Sequence, residues 1–152
     1  MLVNNAGISQ RSLAVETAYP VYEQIVAVDL LAPIALTQAL LPRMVARGSG
    51  RIVMISSIAG KAGAPMRTAY SAAKFGLIGY ADALRVEVAP HGLQVQVIAP
   101  GSIRTDVSRN ALTADGQRRG ASDAAIDNGI DPDLAAAEML AALAAGQREI
   151  VI

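Results

Sequence analysis

The chain has 152 residues, 53% hydrophobic and 17% charged, and this composition excludes an intrinsically disordered protein. Thirteen basic residues balance thirteen acidic ones, so no excess charge points to a nucleic acid or to a membrane surface as a partner. The chain lacks cysteine, which excludes disulfides and thiolate chemistry and is compatible with the cytoplasmic location that we expect.

Short apolar runs rich in β-branched residues alternate with helical patterns along the chain. The runs predict four buried strands, which end at Val3 or span 50–57, 93–100 and 148–152. Apolar residues at helical spacing predict helices over 20–47, 71–89 and 132–146. Pro42 is expected to kink the first helix, and Gly48 to end it.

Strands that alternate with helices are typical of a parallel sheet covered on both faces, which predicts a single α/β domain over residues 1–152. The working residues of such sheets lie just past the carboxyl ends of the strands. Asn4 to Gly7, Ser56-Ser57 and Pro100-Gly101 each follow a predicted strand. The polar stretch 106–131 is too long for an ordinary connection, so a lid or a disordered loop is expected there.

The segment "AYSAAKFG", 69–76, carries the sharpest chemical signal. Tyr70 and Lys74 are four residues apart at the start of a helix, so their side chains share one face. An ammonium beside a phenol favours the phenolate, and the helix N-terminus acts in the same direction. Tyr70 can then exchange protons near neutral pH, and the Ser57 hydroxyl could hold a substrate oxygen beside it.

These motifs, in this order, resemble the short-chain dehydrogenase/reductase family over nearly the whole chain. The family's Asn-Asn-Ala-Gly turn matches residues 4–7, and its strand-end serine matches Ser57. Its Tyr-x-x-x-Lys motif matches Tyr70 and Lys74. Its Pro-Gly-x-x-x-Thr motif matches Pro100, Gly101 and Thr105. The resemblance implies a Rossmann-like, doubly wound parallel sheet.

The resemblance also implies an NAD(P)-dependent oxidoreductase of alcohols and carbonyl compounds. Tyr70 would exchange the proton, and Ser57 would position the carbonyl. Lys74 would favour the phenolate and bind the nicotinamide ribose. The remaining cofactor contacts would come from Asn5 with Ala6 and Gly7, from Pro100 and Gly101, from Ile103 through its backbone, and from Thr105 through its hydroxyl.

One departure from the family pattern concerns the long helix before the serine strand. Much of the family has an asparagine there, whose backbone carbonyl holds a water linked to the lysine. The matching segment is "AVDLLAP", so Asp29 takes that place. The carbonyl survives the change, and Asp29 is a candidate member of the proton relay. Its carboxylate would oppose the effect of Lys74 on Tyr70; the alternative is a capping or surface residue.

A second departure is the absence of the family's Gly-rich phosphate loop. "GSG" at 48–50 has no third glycine at the required spacing, and "AGK" at 59–61 lacks the rest of a P-loop. The residue that would select NAD or NADP is also absent. We therefore expect "MLVNNAGIS" to come from the middle of a longer protein, and the chain to lack the first strands of the fold.

Two other functions remain open at this point. Ser71-x-x-Lys74 matches the S-x-x-K pattern of penicillin-binding hydrolases, although their S-D-N and K-T-G motifs are absent. A truncated chain that only binds a partner is the other alternative. For the oxidoreductase, the expected partners are a small alcohol or carbonyl substrate and a second copy of the chain, as homo-dimer or tetramer. The lone His91 predicts no metal site. No membrane contact is expected, since the apolar stretch 134–145 is too short to span a bilayer.

Overall fold

Four parallel strands form the centre of the protein in a computed structural model that describes residues 1–152. The sheet order follows the chain: β1 (Leu2–Asn4), β2 (Gly50–Ile55), β3 (Leu93–Ala99) and β4 (Glu149–Val151). All four predicted strands are present, and all neighbouring pairs are parallel. Because the strands share one direction, their carboxyl ends lie together at one edge of the sheet.

Five helices connect or cover the strands. They are α1 (Tyr19–Val26), α2 (Ala32–Arg47), α3 (Thr68–Val88), α4 (Ala124–Asp127) and α5 (Pro132–Ala144). Gly48 ends α2 in a left-handed conformation with φ of +67°, as the sequence predicted. Each of the three helices predicted from periodicity is therefore found, with ends shifted by a few residues.

The first predicted helix is interrupted at a different place from the one expected. A wide π turn, Ala27–Leu31, joins α1 to α2, whereas α2 continues through Pro42. Pro33 explains this position, since it has no N–H to bond the Asp29 carbonyl at α-helical spacing. Pro42 is exposed, and a helix can tilt its carbonyls towards solvent on that side.

The two faces of the sheet bury different helices. Ile52 and Met54 of β2 point to one face, where they pack with Leu77 and Leu84 of α3. Val53, between them in sequence, points to the other face and packs with Leu143 of α5. This alternation places helices on both faces, so the doubly wound α/β fold is confirmed.

The strand β1 lies at an edge of the sheet, because β2 is its only neighbour. Leu2 is partly buried, but Val3 on the opposite face is 44% exposed. The absence of the first strands, which the sequence analysis expected, would leave this edge bare, and within residues 1–152 β1 does present one unpaired backbone edge.

The helical stretch Tyr19–Arg47 is more apolar than the sequence analysis recognised. It is 29 residues long and contains an 18-residue window with a mean hydropathy of 1.8, enough by length and composition alone to cross a membrane. This is weak evidence, because the helix also packs on the body of the protein through Val21, Ile25 and Met44. Asp29, Pro33 and Pro42 interrupt this apolar run, whereas the stretch 134–145 has no proline but is too short to span a bilayer.

Candidate active site

A cavity of about 410 Å³ lies at the carboxyl ends of β1, β2 and β3, where the sequence predicted the working residues to meet. Most of the predicted site residues line it: Asn5, Gly7, Ser57, Tyr70, Lys74, Pro100, Gly101, Ile103 and Thr105. Two predicted residues do not: Ala6 and Asp29 are absent from its wall. The cavity therefore brings together side chains from four separate segments of the chain.

Tyr70 and Lys74 lie one turn apart in the first part of α3, as their spacing predicted. The Lys74 Nζ atom is 5.5 Å from the centre of the Tyr70 ring. Lys74 is only 4% exposed, whereas Tyr70 is half-buried at the cavity wall. The ammonium donates a hydrogen bond of 3.1 Å to the Ile55 carbonyl, which fixes it at the end of β2. The buried ammonium and the phenol therefore lie side by side at the wall of the cavity.

Asp29 is completely buried behind Lys74 and is neither a surface residue nor a helix cap. Its Oδ2 atom lies 3.3 Å from Lys74 Nζ, and its Oδ1 accepts a 2.8 Å hydrogen bond from the Ile8 amide. Burial raises the pKa of the Asp29 carboxyl, and the Lys74 charge and the Ile8 amide offset part of this rise. Its short distance from Lys74 Nζ makes the Asp29 carboxylate the counter-charge of the lysine.

The π turn explains how Asp29 reaches this position. Asp29 lies in the middle of the turn, which a π-type bond from the Ala32 amide to the Ala27 carbonyl closes. Such bulges redirect side chains and are frequent at functional sites. Because of Pro33, the Asp29 carbonyl also lacks the amide donor of a regular helix. Sequence periodicity could not reveal this, since it assumes uniform helical spacing.

Two glycines of the predicted motifs are required by close packing. A Cβ atom on Gly7 would lie 3.3 Å from both Asp29 Oδ2 and Lys74 Nζ, so any larger residue would crowd the ion pair. A Cβ atom on Gly60 would lie 2.5 Å from Ser56 Oγ and 2.8 Å from the Lys74 carbonyl. Both glycines let backbone approach the helix that carries Tyr70 and Lys74.

The paired serines at the end of β2 have different surroundings. Ser56 donates a 3.0 Å hydrogen bond to the Lys74 carbonyl and so ties β2 to α3. Ser57 begins a short 3₁₀ turn, Ile58–Gly60, and its hydroxyl accepts a 3.1 Å bond from the Ala59 amide. The Ser57 hydroxyl keeps its own proton for donation to a ligand, and its residue lines the cavity.

The serine of the hydrolase pattern lies elsewhere. Ser71 is 8% exposed, and its hydroxyl accepts a 3.3 Å hydrogen bond from the Ala64 amide. It does not line the cavity that contains Lys74. A nucleophile has to face its substrate, so this geometry argues against Ser-x-x-Lys hydrolysis.

The two asparagines after β1 also divide their roles. Asn4 is buried, and its amide group lies 3.2 Å from both Thr37 Oγ1 and the sulfur of Met54. Asn5 is exposed and lines the cavity. Asn4 therefore anchors the turn to α2 and β2, which leaves Asn5 available to a ligand.

The opposite wall of the cavity follows β3. The Gly101 amide donates a 2.7 Å bond to the Ile152 carbonyl, and a bridge pairs Ile103 with Ile130. Thr105 is exposed, with its hydroxyl 3.5 Å from the Ile103 carbonyl. Together with Asn5, Tyr70 and Lys74, this wall offers amide, hydroxyl and ammonium groups. These donors fit the ribose hydroxyls and carboxamide of a nicotinamide nucleotide.

The stretch 106–131 is folded against the cavity. Asp106, Val107, Asn110 and Ile126 line one side of it. Sequence analysis assigned none of these a role, because a polar segment without periodicity gives no signal about which residues face inward. This position of the stretch 106–131 against the cavity agrees with a lid and not with a disordered loop.

A cluster around Asp123 attaches this lid to the loop after β1. The Asp123 carboxylate lies 2.6 Å from an Arg11 nitrogen and 2.6 Å from an Arg119 nitrogen, while Arg67 is 3.5 Å away. Burial alone would raise the pKa of Asp123, but hydrogen bonds from Arg11, Arg119 and Ser108 hold it well below its usual range. Arg11 and Asp123 are 112 positions apart, so their pairing could not be read from the sequence.

Known proteins are similar to this chain both in fold and in sequence. A short-chain dehydrogenase from Streptomyces avermitilis matches 99% of the chain with a TM-score of 0.85 and 32% identity, over 59% of that protein. A short-chain dehydrogenase from Sphingobium yanoikuyae in complex with NADPH matches 99% of the chain with a TM-score of 0.83 and 27% identity, over 55% of that protein. The fold is thus that of Rossmann-type dehydrogenases. The family model described as short chain dehydrogenase matches residues 1–116, and the chain belongs to this family.

Relatives in animals match the chain along its whole length. Dehydrogenase/reductase SDR family member 7B of Bos taurus is 43% identical over 152 residues, which is 100% of the chain and 47% of the relative. The chain spans about half the length of the curated relatives it matches. Members of the family are oxidoreductases, and solved structures similar to this chain contain a nicotinamide cofactor.

Proposed function

We propose that the chain forms the substrate side and nicotinamide side of an NAD(P)-dependent alcohol dehydrogenase or carbonyl reductase. The observation that carries the proposal is the meeting of Ser57, Tyr70 and Lys74 at one cavity at the carboxyl edge of the sheet. The family membership supports the same reaction class.

Each of the three residues has a distinct task in the proposed reaction. The Ser57 hydroxyl holds the carbonyl oxygen of the substrate and orients it towards Tyr70. The Tyr70 phenol donates a proton to that oxygen during reduction and takes it back during oxidation. Lys74 stabilises the phenolate that remains, because its buried charge lies 5.5 Å from the Tyr70 ring.

A bound nicotinamide would supply or accept the hydride. Asn5, Ala6 and Gly7 would lie along the cofactor on one side, and Pro100, Gly101, Ile103 and Thr105 on the other. Lys74 would also donate to the ribose hydroxyls. The choice between NAD and NADP stays open, because residues 1–152 contain no Gly-rich loop and no recognised residue that would read the adenosine ribose.

Asp29 has a positioning role in this proposal and is not a proton donor. Its carboxylate faces Lys74 and the Ile8 amide, away from the cavity, so it acts on the reaction only through the lysine. It holds the ammonium in place and at the same time neutralises part of its charge. We therefore infer that Asp29 weakens the preference of Tyr70 for the phenolate.

We also propose that the protein is cytoplasmic and that it associates with itself. It would bind neither nucleic acid nor a membrane. The absence of cysteine and the balanced charge support the location and the partners. Leu36 and Leu40 lie one turn apart on α2 and are 55% and 37% exposed, while Phe75 on α3 is 45% exposed. Exposed apolar residues on these helices favour association into a dimer or tetramer.

The alternative is a chain that has the site but catalyses no reaction. An assay can separate the two when the chain is fused behind the segment of a short-chain dehydrogenase that carries the Gly-rich loop. We expect such a protein to oxidise NADH or NADPH in the presence of some member of a ketone and aldehyde panel. Cofactor binding without turnover on the whole panel would favour the non-catalytic alternative.

A further inference from the structure

Gln10 is a buried polar residue whose side chain lies beside the Tyr70 backbone. It belongs to none of the sequence motifs and has no role in the proposed reaction. Its side chain is completely buried, although glutamine is mostly an exposed residue type. It follows β1 and the Asn-Asn-Ala-Gly turn, 60 positions before Tyr70. A glutamine in this environment needs partners for its amide, and its partners lie at the start of α3.

The first turn of α3 has no cap of its own. Arg67 precedes the helix and makes no capping bond through its side chain. The Gln10 Oε1 atom instead accepts a 2.8 Å hydrogen bond from the Ala69 amide and lies 3.4 Å from the Tyr70 amide. These amides belong to the first turn, whose donors have no partner inside the helix. Gln10 thus performs the task of an N-cap from a distant segment.

The other end of the Gln10 amide is fixed by hydroxyl groups. The Nε2 atom lies 3.4 Å from Ser12 Oγ and 3.5 Å from the hydroxyl oxygens of Thr17 and Thr68. Ser12 and Thr17 also bond each other at 2.7 Å. Three oxygen neighbours orient the amide so that its carbonyl faces the helix. Replacement by a residue of equal length without an acceptor would leave both helix amides unpaired.

The backbone of Gln10 connects the same point to the lid. Gln10 pairs with Leu112 in a parallel bridge. The Leu112 amide donates 2.8 Å to the Ser9 carbonyl, and the Leu112 carbonyl accepts 2.9 Å from the Arg11 amide. One residue therefore contacts the helix that carries the proposed proton donor and the segment that covers the cavity.

We propose that Gln10 is a positioning residue for Tyr70, acting through the first turn of α3. This inference rests on the proposed function, in which Tyr70 exchanges the proton. With the Ala69 and Tyr70 amides held, the helix starts at a fixed point and the phenol keeps its direction into the cavity. Without that bond the first turn frays, and Tyr70 spends less time within reach of the substrate oxygen.

Hydrogen exchange on the 152-residue chain tests the capping step independently of catalysis. In Gln10→Met we expect the amides of residues 69–70 to exchange about tenfold faster, the effect of losing one buried hydrogen bond. Gln10→Glu keeps the acceptor and places an anion at a helix N-terminus, so it should retain the protection. Gln96→Met is the matched control, because Gln96 is also buried and bonds the Leu143 and Gln147 carbonyls on the opposite face.

Kinetics of the protein completed with the first half of a relative test the positioning step. Gln10→Met should lower kcat about tenfold or more and leave KM for the cofactor unchanged. Gln10→Glu should recover most of kcat, and Gln96→Met should keep it. Equal exchange at residues 69–70 in Gln10→Met and Gln96→Met, or equally fast exchange in Gln10→Glu and Gln10→Met, would overturn the proposal. If the amides of residues 69–70 exchange as expected in all three variants but the completed enzyme has no activity, the proposed function is contradicted instead.

Discussion

At the scale of single residues, the ion pair between Asp29 and Lys74 sets this chain apart from the family pattern. Asp29 is fully buried and Lys74 almost so, and their charged atoms are 3.3 Å apart. Removing one member of a buried pair leaves an uncompensated charge, which typically costs about 3–5 kcal/mol of stability. Asparagine is the replacement of choice for Asp29, because it keeps an acceptor for the Ile8 amide while it removes the charge that faces Lys74.

Asp29→Asn should move the pH profile of alcohol oxidation to lower pH. The substitution removes the negative charge beside Lys74, so the full positive charge acts on Tyr70 and favours the phenolate. The profile would be measured on the protein completed with the first half of a relative. Asp82→Asn is the control, because Asp82 is an exposed carboxylate of α3 paired with Arg85. An unchanged profile, or one moved to higher pH, would remove Asp29 from the mechanism.

At the scale of secondary-structure elements, the sequence predicted the strands and long helices and could not predict the lid contacts. Alternating buried runs such as 50–57 and helical spacing such as 71–89 are local signals, and the elements occur there. The meeting of Ser57 and Tyr70 followed from the shared direction of parallel strands. The Gln10 cap, the π turn and the Asp123 cluster depend on contacts between distant segments, which leave no periodic pattern. They were therefore found only in the structure.

The Asp123 cluster makes an element-scale prediction about the lid. The pKa of Asp123 is held below its usual range, so the carboxylate contributes stability above the unfolded value of about 3.9. That contribution is lost as the pH falls below this value. Asp123→Asn should lower the unfolding free energy at pH 7 by about 2 kcal/mol, the range for hydrogen bonds to charged groups. It should also flatten the pH dependence below pH ~4.

Urea unfolding measured from about pH 2.5 to about pH 7 checks this prediction. These limits lie on either side of the unfolded carboxyl pKa of about 3.9. Asp106→Asn is a suitable control in the same segment, because Asp106 is 76% exposed and pairs only with Arg109. Exposed ion pairs of this kind contribute little. Parallel stability curves for the wild type and Asp123→Asn would show that the cluster does not hold the lid.

At the scale of the whole molecule, one open sheet edge and a set of exposed apolar side chains stand out. The edge is that of β1, and Val3 beside it is 44% exposed. The apolar side chains are Leu36 and Leu40 on α2 and Phe75 on α3, which are 55%, 37% and 45% exposed. Open strand edges and apolar patches both promote association.

Light scattering tests whether the exposed apolar side chains of α2 and α3 support an ordered oligomer. We expect the chain to elute as a dimer or larger species, and Leu36→Glu to shift it towards the monomer because a charge disfavours burial in an interface. Val151→Glu is a control on the exposed part of β4. The same mass for the wild type and Leu36→Glu would place the association elsewhere.

Cofactor binding by the chain alone gives a second whole-molecule prediction. The cavity offers contacts for the nicotinamide end, but residues 1–152 contain no Gly-rich loop for the pyrophosphate. Titration of NADH and NADPH by calorimetry should therefore show no saturable binding in the micromolar range. Micromolar binding by a soluble, cooperatively melting chain would mean that residues 1–152 suffice for the cofactor.

The central claim is that Tyr70 exchanges the proton in a nicotinamide-dependent reaction. The most direct measurement is kcat of Tyr70→Phe in the protein completed with the first half of a relative. Tyr80→Phe on the same helix serves as the control. We expect kcat to fall by about 10²- to 10⁴-fold, the usual contribution of general acid–base catalysis, while cofactor affinity is kept. A Tyr70→Phe enzyme with kcat within about threefold of its parent, well below that range, would contradict it.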